Sequence, residues 1–490
     1  MTNRFTLALV LSVALLAGAA NAQQKEGSAF QFGLYGAGAD REGMVYWTRP
    51  AGAADAGEYF REAFRRAAAE GFDYVTFNHN QPEDLPMILA EAERAGVPYL
   101  YEGGGWPSYY DLSLVDPDTG ELVLDTTMGF QEFGPESSST PYLRERLHRR
   151  RTMRDRMLPW IRDSWPALAR HPWLAGYTPV EEPPVDPMID DDLAEVGKAF
   201  RAADPGRHTL AMIYKDIRTL AAGVPLMRPD LVRAGFFGIG RDSQAGEFGG
   251  NWWYAEDTTD DAATVCREQG ARYHVFVSGA AEEVYEGGRW VPGSFRRVTV
   301  PELRGEFWIA ILSGANGIEV FCYNSIDDSG HIEHCERRGV EPFEFGSGPV
   351  LGTRMFGLYD MRDEETELLQ DLRTVLAEIR PLCGILGDLV PIERRRGGED
   401  FPSGVFPYRR DGVSAIRARE FVHTATSKRY LGLWNGDVAR GRSVDLDLGI
   451  WSRGLPVRVV PDGEVTTAAT LGANLLLPPG GGVLVELDPK

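Results

Sequence analysis

The sequence predicts an α/β fold: a (β/α)8 TIM barrel over residues 28–383, followed by a small all-β sandwich domain over residues 384–490. In the first region, eight short apolar runs alternate with amphipathic segments of helical period, which is the pattern of a parallel sheet covered by helices. After Cys383 the runs become short and alternating, and turns rich in Gly, Pro and Asp separate them. That second pattern is typical of antiparallel strands in a sandwich.

Eight apolar runs are the predicted barrel strands, and helical segments such as Leu85–Ala95 and Val300–Leu312 lie between them. About 350 residues for eight such units is the size of a barrel with some enlarged loops. The predicted strands are Phe32–Tyr35, Tyr74–Phe77, Tyr99–Tyr101, Leu174–Val180, Leu210–Tyr214, Phe236–Ile239, Tyr273–Val277 and Ile318–Tyr323.

The N-terminus has the features of a secretory signal peptide. Arg4 precedes an uncharged run from Phe5 to Ala17, and Ala20-Asn21-Ala22 is an A-x-A cleavage site. The run is too short to span a bilayer, and later apolar runs have the length of buried strands. We therefore expect residues 1–22 to be removed, the mature protein to be secreted or periplasmic, and no membrane span to follow.

Composition excludes several classes of function. The chain has 490 residues and a formal net charge of −21, whereas proteins that bind nucleic acid or anionic membranes need clustered Lys and Arg. There is no Gly-rich phosphate loop and no Ser-His-Asp arrangement. The sequence therefore predicts no nucleic-acid partner and no cofactor.

The cysteines indicate no metal site. Four cysteines allow three disulfide pairings in an oxidising compartment. Cys322 and Cys335 would close a short loop and form the favoured pair. No C-x-x-C motif is present, so we predict no metal site.

Polar and aromatic residues follow the predicted strands. Working residues of a (β/α)8 barrel lie at the carboxyl ends of its strands, and carboxylates, amides and aromatic rings are suited to binding sugars. On this basis we predict a carbohydrate site that includes Asn78, His79, Glu102, Trp106, Glu181, Glu182, Tyr214, Lys215, Trp252, Trp253, Glu282, Glu283, Tyr323 and Asn324.

One sequence motif indicates which reaction this site could catalyse. Gly176-Tyr-Thr-Pro-Val-Glu-Glu-Pro183 resembles the strand-4 motif of the large clan of retaining (β/α)8 glycoside hydrolases, in which Asn-Glu-Pro carries the acid/base. The resemblance implies that Glu182, directly before Pro183, is the general acid/base. Glu181 stands where the clan has Asn, and a second carboxylate there would raise a neighbouring pKa by like-charge repulsion.

A glycosidase also needs a second carboxylate, about 5 Å away in a retaining enzyme and farther in an inverting one. In the clan it ends strand 7, and here the nearest carboxylates after that strand are Glu282 and then Glu283. Glu102 is the alternative, at the end of strand 3. Glu319 lies inside strand 8, where a buried ion pair is the expected role.

The sequence therefore predicts an exported glycoside hydrolase that cleaves a poly- or oligosaccharide with paired carboxylates. Because the second carboxylate does not match the clan's position, a glycan-binding protein without catalysis, built on the same barrel, is the alternative. Metal-dependent hydrolysis is a third class, and the scarcity of histidines at strand ends counts against it.

Overall fold

A computed structural model describes the fold of the chain through fourteen stretches. They are 30–37, 56–78, 82–103, 153–179, 187–206, 208–214, 217–235, 252–286, 289–292, 296–327, 353–360, 364–392, 415–444 and 454–489.

Eight parallel strands close into a barrel, as predicted. Their order around the barrel is β1-β10-β7-β6-β5-β4-β3-β2. The strands are β1 (Gln31–Ala37), β2 (Tyr74–Asn78), β3 (Tyr99–Glu102), β4 (Leu174–Thr178), β5 (Thr209–Tyr214), β6 (Leu231–Ala234), β7 (Arg272–Ser278) and, after the hairpin strands β8 (Ala281–Glu286) and β9 (Arg289–Pro292), β10 (Gly317–Phe321).

The sixth strand is not where the sequence predicted it. The predicted run Phe236–Ile239 lies outside the described residues, and β6 is Leu231–Ala234 instead. It pairs with β5 and β7 on either side. The rule of continuous apolar runs fails here because β6 carries Arg233, which is completely buried.

Helices cover the outside of the barrel. The first, α1, places Tyr59, Phe60, Ala63, Phe64 and Ala67 on one buried stripe, which is the period of a half-buried helix. The helices are α1 (Ala56–Ala69), α2 (Leu85–Ala95), α3 (Leu158–Asp163), α4 (Trp165–Leu168), α5 (Pro187–Ala203), α6 (Ile217–Met227), α7 (Trp252–Gln269), α8 (Val300–Ser313), α9 (Glu367–Ile379), α10 (Cys383–Leu386) and α11 (Ala468–Asn474).

The barrel interior has an apolar layer near the amino ends of the strands and a charged layer above it. Tyr74, Leu100, Ala211 and Leu231 form the apolar cluster. Two wall positions there are glycine, because a Cβ at Gly33 would lie 2.3 Å from the Tyr74 ring and one at Gly317 would lie 2.8 Å from His274 Nε2. These small residues leave room for the two large side chains.

A second, smaller sheet extends from the barrel. It has four strands in the order β11-β12-β8-β9, with β11 (Ile326–Asp327) and β12 (Thr353–Phe356) following β10 in the chain. The strand β8 starts three residues after the end of β7. This sheet therefore continues from the carboxyl end of the barrel.

The C-terminal region is all-β, as predicted, apart from α11. Six antiparallel strands pair in the order β13-β14-β15-β20-β17-β18, and a two-stranded sheet, β16-β19, accompanies them. The strands are β13 (Leu389–Pro391), β14 (Ile416–His423), β15 (Arg429–Asn435), β16 (Arg442–Ser443), β17 (Pro456–Val460), β18 (Val465–Thr467), β19 (Leu476–Leu477) and β20 (Gly482–Leu487).

The β-domain packs on α8 and α7 of the barrel. Helix α8 is buried along nearly its whole length, since the barrel wall lies on one side of it and the six-stranded sheet on the other. The two regions share one hydrophobic core, in which Trp308 and Leu312 of α8 join Phe421 and Trp434 of the β-domain. No described helix is long and apolar enough to cross a membrane.

The predicted Cys322–Cys335 disulfide is not formed. Cys322 is a free, buried thiol whose Sγ lies 3.0 Å from the backbone oxygen of Asn324, and burial raises its pKa to about 12. Cys266 and Cys383 are also free, whereas Cys335 lies outside the described residues.

Candidate functional site

The carboxyl ends of the barrel strands meet at one end of the barrel, which we call the mouth. Glu102 is the last residue of β3 and lies beside Thr178, the last residue of the neighbouring strand β4. The predicted acid/base, Glu182, follows Thr178 by four residues. The fold therefore brings the end of β3 next to the end of β4, the strand in which the Gly176–Pro183 motif begins.

Glu102 is a buried carboxyl group held by two other strands. Only 4% of the residue is exposed. Its Oε1 accepts a hydrogen bond of 2.8 Å from the hydroxyl of Tyr35 on β1, and its Oε2 lies 3.3 Å from Nη1 of Arg233 on β6. Burial raises the pKa of Glu102 to about 7, although Arg233 and Tyr35 both act to lower it. A carboxyl group that titrates near neutral pH can serve as a general acid or base.

Arg233 makes its strongest contacts with Glu319 of β10. Its Nε donates to Glu319 Oε2 at 2.6 Å and its Nη2 donates to Glu319 Oε1, so the guanidinium and carboxylate pair in a fork. Its Nη1 also donates to the Thr178 hydroxyl at 3.2 Å. Glu319 therefore forms the buried ion pair that the sequence predicted for it.

Two more polar side chains continue this network toward the amino ends of the strands. The Tyr74 hydroxyl donates to Glu319 Oε2 at 3.1 Å and lies 2.8 Å from Nδ1 of His274. Burial, with Arg272 and Arg233 nearby, holds the pKa of His274 well below its usual range, so this histidine is neutral.

Sequence reasoning missed Arg233, Tyr74 and His274. An arginine between Val232 and Ala234 was the available signal, because a charged residue inside an apolar run is rarely buried without a partner. It was overlooked because the sixth strand was assigned to the residues after it.

Sequence reasoning also missed a buried carboxyl group on α8, which contacts the end of β7. Glu306 is fully buried, and its two oxygens accept hydrogen bonds from the backbone nitrogen and the hydroxyl of Ser278, at 2.6 and 2.7 Å. Burial raises the pKa of Glu306 to about 8. Glu306 thus fixes the point at which the chain leaves β7 for β8.

Six predicted site residues stand, in the sequence, at or shortly after the ends of four barrel strands. Asn78 is the last residue of β2, at the mouth. His79, Trp106, Glu181, Glu182 and Lys215 lie outside the described residues, directly after or close after the ends of β2, β3, β4 and β5. Their predicted roles remain predictions.

Glu282 and Glu283 belong to a strand and not to a loop. They are the second and third residues of β8, and their backbones pair with Met355 and Arg354 of β12. Glutamate has low β-propensity, and pairing with a strand about 70 residues later in the chain cannot be read from local sequence. Both residues still follow the carboxyl end of β7.

Three of the predicted aromatic contacts to sugar, Trp252, Trp253 and Tyr214, lie in a helix or a strand. Trp252 and Trp253 open helix α7 and do not lie in a loop. The buried side chain of Tyr214 reaches α6, where a Cβ at Gly223 would lie 2.6 Å from its hydroxyl oxygen. This position favours a packing role over the predicted sugar contact.

Tyr323 and Asn324 are also buried beside the barrel wall. The Tyr323 ring packs against Tyr59 of α1, and its hydroxyl accepts from Nη1 of Arg66 at 3.3 Å. Asn324 forms a backbone bridge with Tyr359. These contacts too favour packing between the barrel and α1. Within the described stretches, no group of three or more His, Cys, Asp or Glu side chains is arranged to hold a metal ion.

The fold and the polar mouth define a (β/α)8-barrel protein with a C-terminal antiparallel β-domain. No protein-family model and no curated protein matches the sequence. Similar solved structures include a β-galactosidase from the psychrophilic Marinomonas ef1, at 12% identity over 77% of this chain and 64% of that chain, with a TM-score of 0.45. This chain therefore spans less than two thirds of that protein.

This chain matches a larger share of two further solved structures. One is a GH27 β-L-arabinopyranosidase from Geobacillus stearothermophilus, at 9% identity over 94% of this chain and 97% of that chain, with a TM-score of 0.46. The other is a GH5_18 protein from Streptomyces cattleya in complex with GlcNAc. It is 14% identical over 77% of this chain and 84% of that chain, with a TM-score of 0.41. All three are glycoside hydrolases with (β/α)8 barrels.

Proposed function

We propose that the protein is an exported glycoside hydrolase that cleaves a poly- or oligosaccharide at the barrel mouth. The observation that supports this most directly is Glu102, a buried carboxyl group at the end of β3 with a pKa raised to about 7. It lies beside the strand that leads to Glu181-Glu182-Pro183. Perturbed carboxyl groups at strand ends of such a barrel are candidates for acid–base catalysis.

In this proposal Glu182 is the general acid/base. It protonates the leaving oxygen as the glycosidic bond breaks, and the second carboxylate acts from the other face of the sugar. In a retaining reaction that carboxylate bonds to the sugar carbon and water activated by Glu182 then hydrolyses the bond, whereas in an inverting reaction the second carboxylate activates the attacking water directly. Glu282 is the first candidate for that second group and Glu283 is the second candidate. Glu102 contacts the substrate beside Glu182 or takes the second role itself.

The test uses the mature protein with aryl glycosides and with natural polysaccharides. Glu182→Gln keeps the shape of the side chain and removes the transferable proton, so we expect turnover of a natural glycan to fall by about 10²–10⁴-fold. Turnover of an aryl glycoside with a good leaving group should fall less, since that group needs less protonation. Glu181→Gln is the matched control and should lose less than Glu182→Gln on the natural glycan.

The same experiment separates hydrolysis from the alternative of glycan binding without catalysis. That alternative is retained because neither Glu282 nor Glu283 matches the position of the clan's second carboxylate at the end of strand 7. A protein that binds glycans in calorimetry but releases no reducing ends from any of them would support it. Equal turnover by the unaltered protein and by Glu182→Gln would contradict the assigned acid/base.

A further inference from the structure

Three charged side chains meet inside the barrel. Glu102 is 4% exposed, and Arg233 and Glu319 are fully buried. If both carboxyl groups were ionised, the one guanidinium would leave a net negative charge on side chains that are almost completely buried. Such a charge is costly, and a carboxyl group relieves it by keeping its proton.

The contacts decide which carboxyl group keeps the proton. Glu319 receives both arms of the Arg233 fork, one of them at 2.6 Å, and the Tyr74 hydroxyl as well. Glu102 receives a single, longer contact of 3.3 Å from Arg233 and the Tyr35 hydroxyl. Hydrogen bonds to the ionised form favour that form, and Glu319 accepts three of them where Glu102 has two contacts, one of them long.

Among the described residues, no second cation contacts Glu102; Arg272, at the start of β7, lies near Tyr74 and His274 and donates to the side chains of Gln31 and Thr209. Neutral His274 comes from β7, and Tyr74 from β2 keeps its proton because burial raises its pKa well above the ordinary value. Thr178 from β4 contacts Arg233 through its hydroxyl, and the rings of Tyr35 and Phe276 lie 5.4 and 5.5 Å from the guanidinium carbon. Arg233 itself stays charged, since the two carboxyl groups outweigh the effect of burial on its pKa.

We propose that Arg233 is a positioning residue: by giving its fork to Glu319 and one longer contact to Glu102, it makes Glu102 the group that gains and loses a proton at the mouth. The role of this protonation change in catalysis rests on the proposed function. A neutral Glu102 donates a hydrogen bond to a sugar oxygen, whereas an ionised Glu102 accepts one from a sugar hydroxyl.

Two variants change the charge balance in opposite directions. In Glu319→Gln, Glu102 becomes the anionic partner of Arg233, so the pKa of Glu102 should fall by about one to three pH units. In the double variant Arg233→Met with Glu319→Gln, the cation and the competing carboxylate are both gone, so an ionised Glu102 no longer has Arg233 to stabilise it. There the pKa of Glu102 should rise above that of the unaltered protein.

The measurement follows the carboxyl carbon of Glu102 by NMR in full-length protein with 13C-labelled glutamate, and Glu102→Gln assigns the signal. Glu302→Gln is the matched control, because Glu302 forms another buried pair, with Arg296 at 2.6 Å, away from this network. It should leave the titration of Glu102 unchanged.

The proposal is overturned if Glu102 titrates in the ordinary range of a glutamate in the unaltered protein, or if Glu319→Gln does not lower its pKa. It is also overturned if both variants shift the pKa the same way. None of these readings uses a substrate, so they hold whether or not the protein hydrolyses glycans. Failure of the proposed function would appear separately, as unchanged turnover in Glu182→Gln.

Discussion

Glu306 shows how a single buried carboxyl group couples stability to pH. Its two oxygens hold the backbone and side chain of Ser278, and burial raises its pKa to about 8 from 4.5. Between these two pH values the folded chain keeps a proton that the unfolded chain has released. The unfolded state therefore binds fewer protons, and the free energy of unfolding falls as pH rises through this interval.

Replacing Glu306 with Gln should remove this dependence. The amide oxygen can accept from the Ser278 nitrogen and the amide nitrogen can donate to the Ser278 hydroxyl, so both contacts are kept. From pH 5 to 8 the unaltered protein should lose up to about 1.4 kcal/mol of stability per pH unit relative to the variant. Urea unfolding at several pH values measures the difference.

The control for this prediction is Glu195→Gln. Glu195 lies on the exposed side of α5, paired with Lys198, and its replacement should keep the wild-type pH dependence. If Glu306→Gln and the unaltered protein gave parallel curves of stability against pH, the raised pKa of Glu306 would be refuted.

At the scale of elements, the barrel strands depend on side chains that cross the interior. Strand β10 carries Gly317 beside His274 and Glu319 beside Arg233, so two of its five residues face groups from other strands. A Cβ at Gly317 would also lie 2.6 Å from the backbone oxygen of Gln31. At Gly317, therefore, β10 has no room for a side chain beside β1 and β7.

Gly317→Ala should destabilise the protein by about 1–3 kcal/mol, because the added methyl group forces the strand away from Gln31 and His274. Gly384→Ala is the matched control, since a Cβ there meets nothing within 4 Å and alanine favours the helix. Thermal unfolding compares the two. A Gly317→Ala protein as stable as Gly384→Ala would contradict the close approach.

At the scale of the whole molecule, buried ion pairs join the β-domain to the barrel. Arg419 and Arg417 of β14 pair with Asp260 and Glu256 of α7, at 2.9 and 3.2 Å. All four side chains are at least nine-tenths buried. Together with the shared core around α8, these contacts predict that the two regions unfold in one transition.

Arg419→Met leaves the Asp260 carboxylate buried without this partner, so we expect a loss of about 3–5 kcal/mol. Arg429→Met is the matched control on the next strand of the same sheet. Arg429 is 52% exposed and pairs with Glu420, and its loss should cost less than about 1 kcal/mol. Calorimetry reads both values. Two separate transitions in the unaltered protein would rule out the rigid junction.

Local sequence was sufficient for much of this architecture. Helix α2 was predicted over Leu85–Ala95, as observed, because its apolar period, the proline in its first turn and Gly96 after its end are all local signals. The strand Gly482–Leu487 was likewise visible as a short apolar run after a glycine turn. The positions of Glu102 and Asn78 at strand ends followed from the same patterns.

Tertiary structure alone decided which charged side chains meet. Arg233 is 131 residues from Glu102 and 86 from Glu319, and nothing in the residues around each one records the closure of the barrel that joins them. The β8–β12 pairing that places Glu282 and Glu283 in a strand is likewise a long-range contact. The periodicity of apolar residues indicates which face of a helix or strand is buried. The pKa of Glu102, in contrast, depends on charged side chains of other strands.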